Sequence, residues 1–204
     1  MSKVKFFLQQ SWLLIVASFL FGVLIAVANA SWSEKIDYNL KVYKFNKAAI
    51  LIFPEADKFE IAIDDIQIES KSGKKTTTSV RKAVTSDGTC IGWAFIGSGM
   101  GYDGAGVTFV LAVDAEFKTV KGYGVISSNE TPSIGGVIKT DKFKNQFIGA
   151  PAGEFTLAKT GDWGIVDNEI VAQSGATMSS TAVVEAFNLY LPQVKEKMQE
   201  EGLL

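Results

Sequence analysis

The sequence predicts an α+β fold with a largely antiparallel sheet and flanking helices, preceded by one N-terminal transmembrane helix. Strand-like runs follow one another between residues 58 and 127 with gaps of turn length. Helical patterns cluster at the two ends of the chain. An apolar run near the N-terminus is long enough to cross a bilayer.

The composition limits the size of the protein and the chemistry open to it. The chain has 204 residues, 47% of them hydrophobic, and a net charge of −2, which favours one globular domain with an appendage and gives no indication of nucleic-acid binding. It contains no histidine, so a Ser-His-Asp triad, a Cys-His pair and a histidine metal site are excluded. We interpret its one cysteine, Cys90, as a small buried residue of a strand.

The N-terminal segment predicts a retained membrane anchor. Lys3 and Lys5 precede residues 6–33, which carry no charge. Eleven Leu, Ile, Val and Phe residues between Leu13 and Val27 contribute roughly −3 to −7 kcal/mol to insertion. A cleaved signal peptide remains the alternative, because residues 28–30 read Ala-Asn-Ala, but its apolar core is usually only about 7–15 residues long.

These features predict three parts of the chain. Residues 1–31 form the anchor, residues 32–56 a helical connector and residues 57–204 the folded domain. Since positive charge stays on the cytoplasmic side, we expect a single-pass protein of the cell inner (cytoplasmic) membrane with its domain on the extracytoplasmic side.

Within the domain, local patterns predict individual elements. Residues 58–69 alternate as a strand, with a slip at Asp64 and Asp65 that indicates a turn or bulge. Further strands are expected at 76–85, 89–96, 107–113, 119–127, 155–157 and 169–172, and a glycine-rich loop at 97–106. A helix is expected at 139–148, and another from Thr181, kinked or divided at Pro192 and ended by Gly202.

The stretch from Gln173 to Ser180, between the last strand and the last helix, has the features of an anion-binding turn. Gly175 can adopt a positive φ, and Ser179 and Ser180 are candidate N-caps. Free N–H groups and the helix dipole at such a start suit a phosphate, beside the hydroxyl of Thr177. On these residues alone, an ordinary helix cap is the commoner explanation.

Three motifs resemble those of the FMN-binding domain family. Residues 174–177, Ser-Gly-Ala-Thr, are similar to its flavinylation signature. Residues 130–136, Glu-Thr-Pro-Ser-Ile-Gly-Gly, resemble its Glu-Thr-Pro-Gly-Leu-Gly loop, and residues 101–106 are similar to a glycine-rich turn before an apolar strand. Their order and spacing match over roughly residues 92–191, as in the flavin-bearing subunits of Rnf- and Nqr-type complexes.

The resemblance implies a membrane-anchored electron carrier and not a self-contained enzyme. FMN would be joined to the Thr177 hydroxyl through a phosphoester by a flavin transferase, and the partners would be other membrane subunits of an ion-translocating electron-transport complex. No catalytic or metal-ligating residue is expected. The implied cofactor-binding residues are Thr177, Ser174, Gly175, Ala176, Met178, Ser179, Ser180, Glu130, Thr131, Pro132, Ile134 and Gly135.

The chain departs from the family pattern at several positions. Ser133 and Ile134 replace the usual Gly and Leu, and Asn129 stands where His is frequent. The signature usually begins with Asp six positions before the modified Thr, where this chain has Val171. Two alternatives therefore stay open: an extracytoplasmic scaffold or binding module without flavin, and a free-standing flavin reductase with non-covalent FMN.

Overall fold

The computed structural model describes residues 3–70, 72–102, 104, 106–128 and 135–204. They fall into two compact units, Met1–Tyr43 and Lys44–Leu204.

The first unit is helical. Helix α1, Lys3–Tyr38, is followed by a π-helical segment, Asn39–Lys44. In the part of the chain that the structure describes, one segment, Ser11–Ser33, is long and apolar enough to cross a membrane, with a mean hydropathy of 2.5. The predicted apolar helix is therefore present. A signal sequence shares these properties, so the retained anchor stays a prediction.

The second unit is built on an antiparallel meander, which confirms the predicted fold class. Its five-stranded sheet has the strand order β1-β2-β3-β4-β5, and a separate parallel pair joins β6 to β7. The strands are β1 Lys58–Glu69, β2 Lys75–Val84, β3 Cys90–Met100, β4 Gly106–Asp114, β5 Val120–Ser127, β6 Thr156–Ala158 and β7 Glu169–Val171.

Helices cover the two faces of this sheet. Helix α2, Phe45–Ile52, packs against β4 and β5, whereas the long helix α4, Thr177–Glu200, packs against β1 and β3. Alternate residues of β4 serve the two cores: Val110 and Ala112 join the α2 side, and Phe109 and Leu111 join the α4 side. Because side chains alternate along a strand, a strand covered on both faces reads as a continuous apolar run, as residues 107–113 do.

The strand predictions are largely confirmed. β1 shows register shifts between Ile61 and Ile66, and Asp65 has a φ of 54°, so the irregularity expected at Asp64 and Asp65 is present. The glycine-rich loop was predicted too long, because β3 continues to Met100. The glycine at position 99 allows this, since an added Cβ would overlap the backbone carbonyl of Ala182 on α4.

The helix predictions needed more correction. The helix expected at 139–148 is only a 3₁₀ segment, Gly135–Lys139, followed by α3, Asp141–Lys144. The chain leaves the helix because Gly149 N–H donates to Val120 O over 2.8 Å and Val120 N–H donates to Ala150 O over 2.8 Å. These bonds fix residues 149–150 to the edge strand β5 instead.

The predicted division of the last helix at Pro192 is also wrong, because α4 is one helix from Thr177 to Glu200. Gln193 supports the turn at the proline: its Nε2 donates to Leu189 O at 2.9 Å and to Glu69 O at 3.1 Å on β1. Buried Leu191 and Val194 also hold both sides of the proline on the core. Gly202, with a φ of 69°, ends the helix as predicted.

The close approach of β3 to α4 predicts the effect of one methyl group. Gly99→Ala should destabilise the second unit by about 1–3 kcal/mol, because the new Cβ meets a backbone carbonyl that no rotamer change can move. Chemical denaturation in detergent would measure the loss. Gly106→Ala is the matched control, since its added Cβ meets nothing within 4 Å. Equal stability of the two variants would contradict the packing described.

Candidate functional site

Strand pairing and helix packing bring two of the three motifs to one end of the second unit. Met100 pairs with Gly106, so β3 and β4 form a hairpin whose described turn residues are Gly101, Tyr102 and Gly104. Thr108, near the start of β4, pairs with Ser127, so β5 ends at the same end of the sheet as the β3–β4 turn. Since Gly99 lies against Ala182, the hairpin turn is close to the first turns of α4, where the Ser-Gly-Ala-Thr motif lies.

The start of α4 is an open, uncapped turn. After β7, the chain turns at Gly175, whose φ of 78° confirms the predicted positive φ. Ala176 occupies the N-cap position and no side chain caps the helix. Alanine is a poor N-cap, so this start lacks the acceptor that Ser, Thr, Asp or Asn would offer to the first N–H groups.

The structure corrects the predicted caps. Helix α4 begins at Thr177, four residues earlier than expected, so Ser179 and Ser180 lie inside its first turn and both are buried. Ser180 Oγ donates to Ala176 O at 3.0 Å and accepts from Gln173 N–H at 3.2 Å. Ser180 therefore binds the turn from inside, and the outer side of the helix start is left open.

The exposed residues of this turn are those best placed to meet a ligand. Ser174, Gly175, Thr177 and Met178 are exposed, whereas Ala176 is buried. Thr177 is thus an exposed residue at the first position of a helix, beside N–H groups that carry the positive end of the dipole. This arrangement suits a phosphate group, because its oxygens can accept from those N–H groups.

Apolar side chains border the same end of the unit. Met100 and Tyr102 are 66% and 73% exposed on the β3–β4 hairpin, and Met178 is 54% exposed on α4. Met178 lies four residues before Ala182 and therefore on the same helix face, towards the hairpin. Sequence reasoning named Met178 as a site residue but named neither Met100 nor Tyr102, both of which it placed in the glycine-rich loop 97–106.

A buried glutamine holds β7 in place before the motif. Gln146 is 1% exposed; its Oε1 accepts from Val171 N–H at 2.8 Å, and its Nε2 donates to Val171 O at 3.3 Å. Sequence reasoning missed this residue, because its partner Val171 lies 25 residues further along the chain.

Val171 itself is buried, with 4% of its surface exposed. Its side chain lies over Gly161, where an added Cβ would be 2.7 Å from Val171 Cγ2. The position at which the family signature carries Asp is thus apolar and tightly packed in this chain.

The remaining predicted site residues belong to the loop after β5. Gly135 begins the 3₁₀ segment Gly135–Lys139, which is held from the core because the Tyr123 hydroxyl donates to Ile138 O over 2.5 Å. Burial raises the pKa of the Tyr123 phenol well above its usual value, so the hydroxyl stays a donor. The other predicted residues of this loop, Glu130, Thr131, Pro132 and Ile134, lie outside the described residues.

Two further features lie apart from this site. A groove of about 930 Å³ follows the far half of α4, and Glu185 is its first helical lining residue. Eight residues of helix, about 12 Å, separate Glu185 from Thr177. Among residues 3–70, 72–102, 104, 106–128 and 135–204, no group of His, Cys, Asp or Glu could hold a metal ion.

The clamp on β7 gives a testable consequence. Gln146→Leu should destabilise the second unit by at least about 1–3 kcal/mol, because it leaves the buried N–H and C=O of Val171 without their partners. Denaturant unfolding would measure this loss, and hydrogen exchange should accelerate at the Val171 amide. The exposed Gln67→Leu is the control and should change stability by less than about 0.5 kcal/mol. Similar losses in both variants would remove the role assigned to Gln146.

Comparison with known proteins agrees with this geometry. Residues 101–191 match the model of the FMN-binding domain family. The chain is 33% identical over 107 residues to the G subunit of the ion-translocating oxidoreductase complex of Methanosarcina acetivorans, covering 52% of this chain and 53% of that protein. The match thus spans about half the length of that relative.

Two more relatives extend the comparison. The G subunit of the proton-translocating ferredoxin:NAD(+) oxidoreductase complex of Clostridium ljungdahlii is 27% identical over 181 residues, covering 89% of this chain and 88% of that protein. The crystal structure of NqrC from Shewanella oneidensis shares the fold, with a TM-score of 0.50 and 21% identity over 68% of this chain and 66% of that one. The segment that holds the hairpin turn and the start of α4 is the segment that the model of the FMN-binding domain family matches.

Proposed function

We propose that this chain is a membrane-anchored flavoprotein electron carrier, with FMN attached covalently through a phosphoester to Thr177. The observation that carries the proposal is that Thr177 is exposed on an uncapped helix start, inside the segment that matches the family model. A carrier of this kind transfers electrons as one subunit of a larger oxidoreductase complex.

The residues at the site fit the phosphate end of FMN. The backbone N–H groups at the start of α4 have no side-chain cap, and Gly175 has nothing within 4 Å of a built Cβ, so the turn leaves room for a bulky phosphoester. The helix dipole adds roughly 0.3–1 kcal/mol for an exposed anion, which is enough to orient a tethered phosphate and far too little to drive its attachment. Bond formation therefore requires a flavin transferase.

The residues around the turn also fit the other end of the cofactor. When bound, FMN supplies one- and two-electron chemistry, and the protein positions and tunes it. Ser174, Gly175 and Ala176 shape the attachment turn, while Met100, Tyr102 and Met178 offer apolar surface beside it. A covalent tether makes a closed pocket unnecessary, so the site can remain open to a partner.

The partners follow from the anchor and from the relatives. We infer that the chain is a subunit of an Rnf/Nqr-type ion-translocating complex, because two relatives are named as G subunits of ion-translocating oxidoreductases. Lys3 and Lys5 would hold the N-terminus in the cytoplasm, and the segment Ser11–Ser33 would cross the membrane. The domain boundaries at residues 31 and 56 are part of this proposal, as are Glu130, Thr131, Pro132, Ile134 and Gly135 as residues flanking the ring.

One observation favours a second candidate, an extracytoplasmic binding module without flavin. Val171 replaces the acid at the start of the flavinylation signature and is buried against Gly161. If a transferase needs that acid, the chain keeps the fold without the cofactor. Absorbance near the flavin maximum in purified protein separates the two candidates. Release of colour by acid would instead indicate a reductase with non-covalent FMN.

The attachment site predicts the result of a single substitution. Coexpression with a flavin transferase should raise the mass of the wild-type chain by one FMN less water, and Thr177→Val should abolish this adduct because it removes the reacting oxygen. Since Thr177 is exposed, the stability of the variant should change by less than about 0.5 kcal/mol. Intact-protein and peptide mass spectrometry would check the adduct.

Thr181→Val is the matched control. Thr181 lies one turn later on α4, and its hydroxyl donates to Thr177 O at 2.9 Å. This variant removes a neighbouring hydroxyl and keeps that of Thr177, so it should retain flavin. A flavinylated Thr177→Val protein would show that the attachment site is wrong. If wild type stays unmodified with several transferases, Val171→Asp should restore the adduct; failure of that variant too would favour the binding module.

The proposed topology can be tested separately. Protease added to intact spheroplasts should degrade the second unit, because positive charge at Lys3 and Lys5 retains the N-terminus inside. Protection of the second unit would reverse the orientation. A mature protein that begins at Ser31 would instead show that the apolar helix is a cleaved signal.

A further inference from the structure

An apolar patch lies beside α2, away from the candidate flavin site. It consists of Ile50, Leu51, Ile52, Ile148, Ile165 and Val166. We propose that this α2 patch rests on the surface of the lipid bilayer and holds the second unit against the membrane. The inference rests on the membrane anchoring in the proposed function, and it assigns a lipid-binding role to residues outside the flavin site.

Three chain segments build the α2 patch as one surface. Ile52 at the end of α2 and Ile148 after α3 both lie over Gly122 of β5, because a Cβ built there would be 3.7 Å from Ile52 Cγ2 and 3.5 Å from Ile148 Cγ1. A Cβ built on the neighbouring Gly149 would be 3.9 Å from Val166 Cγ1. Leu51 and Ile165 are the exposed neighbours of Ile52 and Val166 in the chain.

The patch holds nearly half of the large exposed apolar side chains in the described part of the second unit. Among the described residues of the second unit, eleven large apolar side chains are exposed, and five of them belong to the patch, including Leu51 at 80%. Three others, Met100, Tyr102 and Met178, border the candidate flavin site. Contiguous exposed apolar surface of this kind marks an interaction site, whereas scattered single residues do not.

The flavin site does not account for the α2 patch. Helix α2 packs on β4 and β5, and α4 packs on β1 and β3 from the other face of the sheet. The two exposed apolar surfaces therefore belong to different faces of the unit, and a second contact is needed for the surface beside α2.

The short connection between the apolar segment and α2 keeps the patch close to the bilayer. Phe45, the first residue of α2, follows the end of the apolar segment at Ser33 by twelve residues. Even a fully extended connection of that length spans only about 40 Å. Once the segment lies in a membrane, α2 cannot leave its vicinity, and the effective concentration of lipid surface at the patch is high.

The charges around the patch fit a lipid surface. Lys44, just before α2, and Lys47, on α2, are both exposed, and Lys144 stands four residues before Ile148. Basic residues beside exposed Leu and Ile are the combination found on interfacial membrane contacts, where lysines meet anionic headgroups. Two acids close to Ile165 and Val166 in the chain accept local bonds: Asp162 accepts from Gly164 N–H at 2.8 Å, and Asp167 accepts from Glu169 N–H at 2.7 Å.

The test uses the full chain in liposomes that contain anionic lipid, without any partner protein. With Cys90→Ser as the background, an environment-sensitive fluorophore is placed at Leu51→Cys or Ile165→Cys. Ile61→Cys is the matched control, because Ile61 is 57% exposed on the opposite edge strand β1. Leu20→Cys lies near the middle of the apolar segment and reports the anchoring itself through lipids that carry a quencher at the end of the acyl chain, because a headgroup quencher would not reach the centre of the bilayer.

We expect labels at Leu51 and Ile165 to shift to the blue and to be quenched by lipids that carry a quencher near the headgroup, with neither effect at Ile61. Lys44→Glu with Lys47→Glu should reduce quenching at Leu51 in anionic liposomes. Quenching at Leu20 with none at Leu51 and Ile165 would overturn the lipid contact and leave the anchor intact. No quenching at Leu20 would remove the anchoring on which both proposals rest, and equal quenching at Ile61 would show non-specific adsorption.

Discussion

The contact between Gly99 and Ala182 determines where the candidate site lies. A strand backbone can approach a helix backbone this closely only where the strand lacks a Cβ, and β3 supplies glycine at that position. The contact fixes the first turns of α4 at the end of the sheet where the β3–β4 hairpin turns. Two sequence motifs separated by about seventy residues therefore lie together because of one missing side chain.

Much of this architecture could be predicted from the sequence because its signals are local. Alternation and turn residues located the strands, and the two acids at Asp64 and Asp65 located the bulge. The positive φ of Gly175 followed from the need for a tight turn between β7 and α4. The resemblance to the FMN-binding domain family followed from three short motifs, and all three lie in the segment 101–191 that the family model matches.

The errors arose where tertiary contacts outweigh local preference. Ser179 and Ser180 have good capping propensity, but burial draws both into the helix and leaves Ala176 at the cap. Pro192 should break an isolated helix, yet the core contacts on both sides and the bonds of Gln193 hold α4 together. Gln146 and the α2 patch could not be found from local patterns at all, since each depends on segments that meet only in the folded chain.

The uncapped start of α4 has a consequence for the life of the protein in the cell. Replacing a good N-cap by alanine costs a helix about 0.5–2 kcal/mol. A phosphoester at Thr177 would bring acceptor oxygens to the same N–H groups, so the loaded chain should open less often at this turn than the unloaded one. Proteases cleave segments that open, so they would remove chains without flavin first. Ala176 at the N-cap would thus make the lifetime of the protein in the membrane depend on cofactor attachment.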